Sequence, residues 1–251
     1  MVVTEPLIQL RGVTLHYGGG DVVRDVNLEV KRAETKVILG PSGVGKSTIL
    51  KAILGILKPK SGEIFVHGKD IAKLSEPSLV NTRLRMAMVF QQGALFDSMT
   101  VGENVSYRLR EHQLLPETGI QTRVTDVLKF VGLEGARKLK PAQLSGGMKK
   151  RVAIARALAP APDLFLFDEP TVGLDPINYY NIEQLILKLK AQKFTIVVVT
   201  HDVESALRLA DSIVMLHEGK FIFEGTPEEL KQNTDKRVKA FLDPAGANLG
   251  S

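Results

Sequence analysis

The chain has 251 residues, of which 44% are apolar and 24% charged, and its 33 basic and 28 acidic side chains give a net charge of +5. These values are typical of a globular protein with one large domain, or with one domain that carries an inserted lobe. Because cysteine is absent, disulfides and thiolate metal sites are excluded. No apolar run approaches about 18 residues and no apolar core follows Met1, so we expect a soluble cytoplasmic protein with neither a membrane span nor a secretory signal.

The small excess of basic residues does not by itself indicate a nucleic-acid partner. Basic and acidic residues are interspersed along the chain, and the densest basic run is Lys149-Lys150-Arg151, which adjoins a motif with another explanation. A solvated, mildly basic surface therefore accounts for the charge better than a nucleic-acid interface does.

Strand signals recur along the chain, either as period-two alternation or as short apolar runs. The predicted strands are residues 7–17, 26–30, 37–39, 62–66, 86–90, 164–167 and 195–200, with a turn at 68–70 and a hairpin of 213–216 and 221–224 turned at Glu218-Gly219. Apolar residues at helical spacing mark Leu50, Ile53, Leu54 and Leu57, then Val124, Val127, Leu128 and Val131, then Ile182, Leu185, Ile186 and Leu189, and a last helix at 203–209. Because residues 100–160 are helical in pattern, the sequence predicts an α/β core split by a helical insertion.

A nine-residue stretch between the strand at 37–39 and the helix that follows matches the pattern G-x-x-x-x-G-K-[ST]. This phosphate loop consists of Gly40, Pro41, Ser42, Gly43, Val44, Gly45, Lys46, Ser47 and Thr48. Glycines let backbone N–H groups turn inward, and the N-terminus of the helix favours an anion. Lys46 can reach the β and γ phosphates of a nucleotide, while the Ser47 hydroxyl can bind Mg²⁺. The stretch therefore predicts a site for a nucleoside triphosphate with Mg²⁺.

Polar side chains also follow three other predicted strands. The buried run at 164–167 leads directly into Asp168 and Glu169, so we expect two carboxylates at the carboxyl edge of a sheet, where α/β proteins bind ligands. Asp168 is a candidate Mg²⁺ ligand, and Glu169 is a candidate general base for an attacking water. Gln91 is a candidate neutral ligand of Mg²⁺ and water. His201 is either a hydrogen-bonded structural residue or a contact of the γ phosphate. Together these groups predict one phosphate site.

A second possible anion site lies at residues 144–148. Ser145 is a good N-cap for a helix over 146–159, and Gly146 and Gly147 would leave its first N–H groups open to an anion. Since the chain has a single phosphate loop, a second anion site requires either a second ligand or a second subunit. A head-to-tail dimer, in which this helix end meets the partner's γ phosphate, satisfies the requirement.

Together these motifs resemble those of the ATP-binding cassette (ABC) ATPases over residues 7–242. The matched positions are 40–48 for the Walker A loop, Gln91 for the Q-loop, 144–148 for the signature, 164–169 for Walker B, Gly173-Leu174-Asp175 for the D-loop and Thr200-His201-Asp202 for the switch histidine. Tyr17, which by itself would more often be a packing residue, matches the aromatic that stacks on adenine. Met148 departs from the family, where Gln is most frequent at this position. We do not expect that departure to abolish activity, because Ser145 and the backbone make the phosphate contact.

The resemblance implies a P-loop NTPase fold in the α/β class, with an antiparallel β subdomain and an inserted α-helical subdomain. The implied domains are an ATPase core at 1–91 and 161–228, a helical signature subdomain at 92–160, and a C-terminal helix with a disordered tail at 229–251. The family activity is ATP hydrolysis by a head-to-tail homodimer that closes on two ATP molecules and drives transmembrane permease subunits. The implied roles are catalysis by Lys46, Gln91, Glu169 and His201, Mg²⁺ ligation by Ser47, Gln91 and Asp168, and nucleotide contact by Tyr17, residues 40–48, Ser145, Gly146, Gly147 and Asp175.

Several positions are similar to a subgroup of ABC ATPases that works with mammalian-cell-entry (MCE) proteins and moves phospholipids. These are Met148, Gly93-Ala94-Leu95-Phe96, Asn104-Val105, Leu109-Arg110-Glu111-His112, Asp175-Pro176-Ile177 and Arg237-Val238-Lys239-Ala240-Phe241-Leu242. Gln92 departs mildly, since the subgroup often has Ser there. The resemblance implies lipid transport between inner and outer membrane, an MCE-domain partner, a permease contact at 92–112, and a peripheral location on the cytoplasmic face of the inner membrane.

Three alternatives stay open. An ATPase of a small-solute importer, for example for amino acids, would use residues 92–112 to dock a different permease. A soluble ABC ATPase acting on DNA or ribosomes usually carries long coiled coils, zinc modules or tandem cassettes, and the sequence shows none of these, so we expect no nucleic-acid partner. A module that binds nucleotide without hydrolysing it is disfavoured because every hydrolytic position is filled.

Overall fold

The structure is a computed structural model, and it describes residues 5–243. The strands are β1 (Ile8–Tyr17), β2 (Gly20–Val30), β3 (Thr35–Leu39), β4 (Ser61–Val66), β5 (Lys69–Asp70), β6 (Met86–Val89), β7 (Leu164–Asp168), β8 (Thr195–Thr200), β9 (Ser212–His217) and β10 (Lys220–Gly225). The helices are α1 (Lys46–Ile53), α2 (Glu76–Leu84), α3 (Val101–Glu111), α4 (Glu117–Phe130), α5 (Gly146–Leu158), α6 (Pro176–Ala191), α7 (Val203–Leu209), α8 (Pro227–Lys231) and α9 (Lys236–Leu242). The tail that the sequence predicts to be disordered falls, after Asp243, outside the described residues.

The chain divides into two compact units. The first comprises Met1–Thr82 with Lys190–Ser251, and the second comprises Arg83–Leu189. Their boundaries fall inside α2 and α6. Across residues 5–243, no helix has both the length and the apolar character needed to cross a bilayer.

The first unit contains an antiparallel sheet with strand order β2-β1-β4-β5. Ile8 of β1 lies opposite Val30 of β2 on one side and Val66 of β4 on the other. Buried and more exposed residues alternate along β1, as the period-two pattern predicts. The strand predicted at 26–30 is longer in the structure, because hairpin pairing continues back to Gly20. Lys69–Asp70, predicted as part of a turn, pairs with β4 as β5.

The first unit also holds the strand that leads into the phosphate loop. All five residues of β3 are buried, and β3 lies between β8 and β9 and runs parallel to both. Leu39 is level with Thr200 of β8 and Met215 of β9. The carboxyl ends of these strands therefore share one edge, and the loops that leave β3 and β8 begin side by side.

Helix α1 is shorter than its apolar pattern predicts. It buries Leu50 and Ile53 as expected, and its C-cap is Leu54. Gly55 then takes a φ of 67° and donates to the Ala52 carbonyl at 2.9 Å, a left-handed turn that stops a helix. Leu57, predicted on the apolar face, consequently lies beyond the end of the helix.

The second unit combines a strand pair with packed helices. Strands β6 and β7 are parallel, and helices α3, α4 and α5 pack against one another. The predicted apolar face of α4 is confirmed, since Val124, Val127 and Leu128 are buried. Strand β6 ends at Val89, one residue before the predicted end. Helices α2 and α8 were not predicted, because they are short and bury few residues, so their apolar patterns are weak.

Candidate active site

Residues 40–45 connect β3 to α1 in the first unit. Gly45 is the N-cap of α1 with a φ of 109°, a conformation that favours glycine, and a Cβ there would lie 3.0 Å from the Val23 side chain. A Cβ on Gly40 would lie 2.3 Å from the carbonyl oxygen of Leu216. Glycine is therefore required at both ends of the loop, which is held against the N-terminus of α1. The helix dipole favours an anion at that position.

Lys46 places a buried cation against this loop. Only 5% of the residue is exposed, and its Nζ donates to the carbonyl oxygens of Gly40 at 2.8 Å and Pro41 at 2.9 Å. A buried ammonium group is stable only when its N–H donors are paired. The loop carbonyls of Gly40 and Pro41 therefore hold the charge of Lys46 within the loop.

His201 lies next to the phosphate loop. It follows β8 directly, and the Gly40 N–H donates to the Thr200 carbonyl at 3.3 Å. The imidazole is exposed at the shared strand edge. Asp202 fixes the start of α7, because its side chain accepts a hydrogen bond from the Ser205 N–H at 3.1 Å. The structure thus brings together two of the strand ends that the sequence predicted to meet.

Tyr17 is the last residue of β1 and is 52% exposed. The ammonium nitrogen of Lys51, on α1, lies 4.9 Å from the centre of its ring. The ring is therefore not buried in the core. An exposed phenol ring beside the helix that follows the phosphate loop is available to stack on a planar ligand.

The second unit carries the acidic groups. Val89 of β6 is level with Phe167 of β7, so the residues that follow both strands lie at one edge. Asp168 ends β7 and is half-buried, while Glu169 is 9% exposed and has a φ of 46°. A positive φ is uncommon for a residue other than glycine and often marks a functional position. Gln91 lies at the same edge, in an exposed turn after β6.

Lys150 of α5 holds the turn after β7. Its Nζ donates to the carbonyl oxygens of Pro170 at 2.7 Å and Val172 at 2.9 Å, with that of Glu169 at 3.5 Å. Burial lowers the pKa of Lys150 to about 8, and the Glu169 carboxylate opposes the shift. The sequence does not predict this contact, because Lys150 stands out there only as part of a basic run beside the motif at 144–148.

The N-terminus of α5 is built as the sequence predicts. The Ser145 hydroxyl accepts a hydrogen bond from the Met148 N–H at 3.3 Å, so Ser145 is the N-cap. Ser145 and Gly146 are exposed, whereas Gly147 is buried. Helix α5 ends at Leu158, one residue earlier than predicted. An exposed N-cap with two glycines after it can be approached closely by an anion from another molecule.

The N-terminus of α5 also lies close to a side chain of α6. A Cβ on Gly147 would lie 2.0 Å from Oδ1 of Asn178 and 2.8 Å from its Cβ. Asn178 in turn donates through Nδ2 to a carboxylate oxygen of Asp175 at 2.6 Å. This hydrogen bond is the largest cause that lowers the pKa of Asp175. Asn178 thus connects Asp175 of the D-loop to Gly147.

Comparison with known proteins settles the family. Residues 23–172 match the family model of the ABC transporter. The chain belongs to the ABC transporter family. The matched range includes residues 40–48, Gln91, residues 144–148, Asp168 and Glu169.

Relatives match along most of the chain. The intermembrane phospholipid transport system ATP-binding protein MlaF of Haemophilus influenzae is 46% identical over 94% of this chain and 90% of its own length. MlaF of Escherichia coli K12 is 44% identical over 94% of this chain and 88% of its own length. The probable ribonucleotide transport ATP-binding protein mkl of Mycobacterium leprae is 39% identical over 97% of this chain and 70% of its own length.

Solved structures confirm the predicted fold. CbiO1 of Clostridium perfringens, part of the ABC transporter complex cbiONQ, superposes with a TM-score of 0.84 at 33% identity over 98% of both chains. The ATP-binding cassette MJ0796, in a dimeric post-hydrolysis state with ADP and Pi, has a TM-score of 0.81 at 37% identity over 88% of this chain and 98% of that one. The mixed α/β architecture with an antiparallel sheet and a helical part is that of an ABC ATPase.

In this ABC ATPase, the steric need for glycine in the signature can be tested by mutation. We expect Gly147→Ala to destabilise the protein by about 1–3 kcal/mol, because the new methyl group overlaps Asn178. In the Asn178→Gly background the same change is expected to be neutral or stabilising, since the overlapping atoms are gone and alanine favours the helix. Urea denaturation of the four chains of this double-mutant cycle gives the coupling between the two sites. An equal loss of stability in both backgrounds would show that Asn178 is not the obstacle.

Proposed function

We propose that this protein is the ATP-hydrolysing subunit of an ABC transporter that moves phospholipid between the inner and outer membranes. The observation that carries the proposal is its 46% and 44% identity to two intermembrane phospholipid transport ATPases over 94% of this chain. The subgroup positions named from the sequence, Met148 among them, support the same substrate class.

Nucleotide binding is proposed for the groups of the first unit. The backbone N–H groups of residues 40–48 and the Lys46 ammonium would contact the β and γ phosphates. These phosphates are negatively charged, so they bind well to N–H donors and to a cation. Tyr17 would stack on the adenine ring. The exposed imidazole of His201, next to the loop, would contact the γ phosphate and report whether it is present.

Hydrolysis is proposed for the acidic groups of the second unit. Glu169 would accept a proton from a water molecule whose oxygen attacks the γ phosphorus, so that the bond to the β-phosphate oxygen breaks and ADP leaves with inorganic phosphate as the other product. Asp168 and Gln91 would help to hold Mg²⁺ with Ser47. This donor set fits the ion, because Mg²⁺ prefers oxygen ligands and one or two carboxylates together with substrate phosphates. Among residues 5–243 there is no group of three or more His, Cys, Asp or Glu residues that could hold a metal ion.

A head-to-tail homodimer is proposed as the working form. The dimeric cassette with ADP and Pi supports it, as does the exposed N-cap of α5. Ser145, Gly146 and Gly147 would then contact the γ phosphate bound to the partner, and Asp175 would act at the same junction. Each active site would contain groups of both subunits.

Transmembrane permease subunits and an MCE-domain lipid-binding protein are the proposed partners, with the protein peripheral on the cytoplasmic face of the inner membrane. The permease would dock on residues 92–112. Arg156 of α5 donates to the carbonyls of Gly93 at 3.1 Å and Ala94 at 2.8 Å, so the start of this segment is held in one shape. Phe96 is 41% exposed there and packs on Tyr107 with ring centres 4.8 Å apart, which offers a small apolar contact.

A small-solute importer is the second candidate, because the mycobacterial relative is named for ribonucleotide transport. This chain is only 39% identical to that relative and covers only 70% of its length, so the comparison favours phospholipid transport. Action on nucleic acid gains no support, because the names of these relatives describe transport.

Co-purification from native membranes tests the substrate class. A tag on this chain is expected to recover a permease and an MCE-domain protein, with phospholipid identified by mass spectrometry of the extracted lipids. A permease recovered with a soluble solute receptor and no lipid enrichment would contradict the lipid proposal and leave the ATPase intact. Recovery of nucleic acid without any membrane protein would overturn the transporter proposal itself. The Lys46→Met chain, which we expect to be impaired in ATP binding, is the control for losses that follow from inactivity alone.

A further inference from the structure

We propose that Lys150 is a positioning residue for Glu169, holding the turn of residues 169–172 in the shape that presents the Glu169 carboxylate to the attacking water. The inference rests on the proposed role of Glu169 as general base. It concerns a side chain to which neither the motifs nor the comparisons give a part in the reaction.

The contacts of Lys150 match its donor capacity. An ammonium group has three N–H donors, and three carbonyl oxygens surround Nζ, those of Pro170 at 2.7 Å, Val172 at 2.9 Å and Glu169 at 3.5 Å. All three acceptors lie within the four residues 169–172. The side chain is 9% exposed, so its charge is withdrawn from water and depends on these carbonyls.

The turn itself is weakly held by its own backbone. The Val172 N–H donates to the Glu169 carbonyl at 3.4 Å, and the Leu174 N–H donates to the Thr171 carbonyl at 3.4 Å. Both distances exceed the usual range of about 2.7–3.2 Å for such bonds. Glu169 has a φ of 46°, which is unfavourable for a residue with a side chain and persists only where surrounding contacts determine it. Lys150 donates shorter hydrogen bonds to this turn, at 2.7 Å to the Pro170 carbonyl and 2.9 Å to the Val172 carbonyl.

The position of Lys150 on α5 explains how the turn can be held rigidly. Lys150 lies in the second turn of a helix that runs from Gly146 to Leu158 and is packed against α3 and α4. A side chain anchored on a packed helix has few alternative positions, so the carbonyls that it binds are fixed as well. Loss of these bonds would leave the Glu169 carboxylate present but less well placed. A misplacement of about 1 Å in a reacting group is enough to lower a rate about 100-fold.

The test compares Lys150→Met, which keeps the length of the side chain and removes all three donors, with Lys150→Gln, which keeps two neutral N–H donors. In the full-length protein within its membrane complex, we expect Lys150→Met to lower kcat about 100-fold with KM for ATP nearly unchanged, and Lys150→Gln to restore part of that loss. A matched control is Lys129→Met, which removes an exposed lysine of α4 and is expected to keep the wild-type kcat. Binding of a non-hydrolysable ATP analogue is measured in parallel and is expected to be unchanged in all three.

Amide hydrogen exchange separates positioning from loss of fold. In Lys150→Met we expect faster exchange confined to the 169–174 peptide, with the rest of the second unit protected as in wild type. If Lys150→Met does not fold, the kcat of Lys150→Gln, which is expected to lie between those of Lys150→Met and the wild type, tests the proposal instead. A folded Lys150→Gln or Lys150→Met chain with wild-type kcat would overturn the proposal. So would a loss that appears in KM and analogue binding rather than in kcat.

Glu169→Gln distinguishes failure of this inference from failure of the proposed function. If Glu169→Gln is inactive while folded Lys150 variants turn over normally, the positioning role is wrong and the general base stands. If Glu169→Gln hydrolyses ATP at the wild-type rate, the proposed role of Glu169 is wrong, and with it the reason for positioning that side chain.

Discussion

The Glu169→Gln variant is expected to bind ATP within about threefold of the wild-type affinity and to hydrolyse it at least about 100-fold more slowly. The amide keeps the size of the side chain and cannot accept the proton of the attacking water at neutral pH. Because Glu169 is nearly buried in a turn of positive φ, the isosteric change also leaves its backbone contacts in place. Steady-state phosphate release and equilibrium binding of a fluorescent ATP analogue give the two quantities.

Glu228→Gln is the matched control for this experiment, because Glu228 is an exposed glutamate of α8. It is expected to hydrolyse ATP at the wild-type rate. Since Glu169→Gln would bind ATP without consuming it, the proposed head-to-tail dimer should accumulate in that variant and elute earlier from a sizing column when ATP is present. Wild-type turnover by Glu169→Gln would show that another group takes the proton.

Lys46→Met is expected to lower kcat/KM for ATP hydrolysis by about 100- to 1,000-fold, because a preorganised cation next to the transferred phosphoryl group is lost. Its affinity for ATP is expected to fall about 10- to 100-fold, since a hydrogen bond to a charged group contributes about 1.5–3 kcal/mol. Lys46→Met is thus expected to weaken both the binding of ATP and the stabilisation of the transition state, whereas Glu169→Gln is expected to affect only the latter. Binding and turnover measured on the same preparation separate the two variants.

Lys58→Met provides the comparison, since Lys58 is an exposed lysine shortly after α1. We expect it to keep both ATP affinity and kcat/KM. Lys46 is buried among loop carbonyls, so thermal unfolding of Lys46→Met is measured as well. A folded Lys46→Met chain with unaltered ATP binding would contradict the assignment of the phosphate loop.

The two predictions differ because the two side chains are held differently. Lys46 is held by the loop that it serves, through the carbonyls of Gly40 and Pro41. Glu169 depends on a turn after β7 whose shape is set by a side chain of helix α5, Lys150. Substitutions around the phosphate loop are therefore expected to act mainly on binding, and substitutions around the 169–172 turn mainly on kcat.

The phosphate loop, the acidic strand end and the helix caps could be predicted because their chemistry is local. The spacing of Gly40, Gly45 and Lys46 specifies a tight backbone turn at a helix start whatever surrounds it. The continuous apolar runs of β3, β7 and β8 are found as buried strands for the same reason. Ser145 could be recognised as an N-cap because a cap is satisfied by the first N–H groups of its own helix.

Contacts between distant segments could not be predicted in this way. Lys150 belongs to a basic run that reads as surface, and its acceptors lie 19, 20 and 22 residues further along the chain. The need for glycine at position 147 comes from Asn178, a neighbour that periodicity does not reveal. The early end of α1 likewise follows from the left-handed turn at Gly55 and not from apolar spacing. The short strand β5 follows from its pairing with β4.

The sequence by itself determined the family, the nucleotide ligand and the order of most elements, because the motif residues lie close together in the chain and specify a local backbone shape. Only the tertiary structure decided which side chains hold those motifs in place. The partners of buried charges and close-packed glycines lie on elements that are distant in the sequence. Local sequence patterns therefore do not identify these partners. For this protein, that difference separates Lys46, which the motif identifies, from Lys150, which only its three carbonyl neighbours identify.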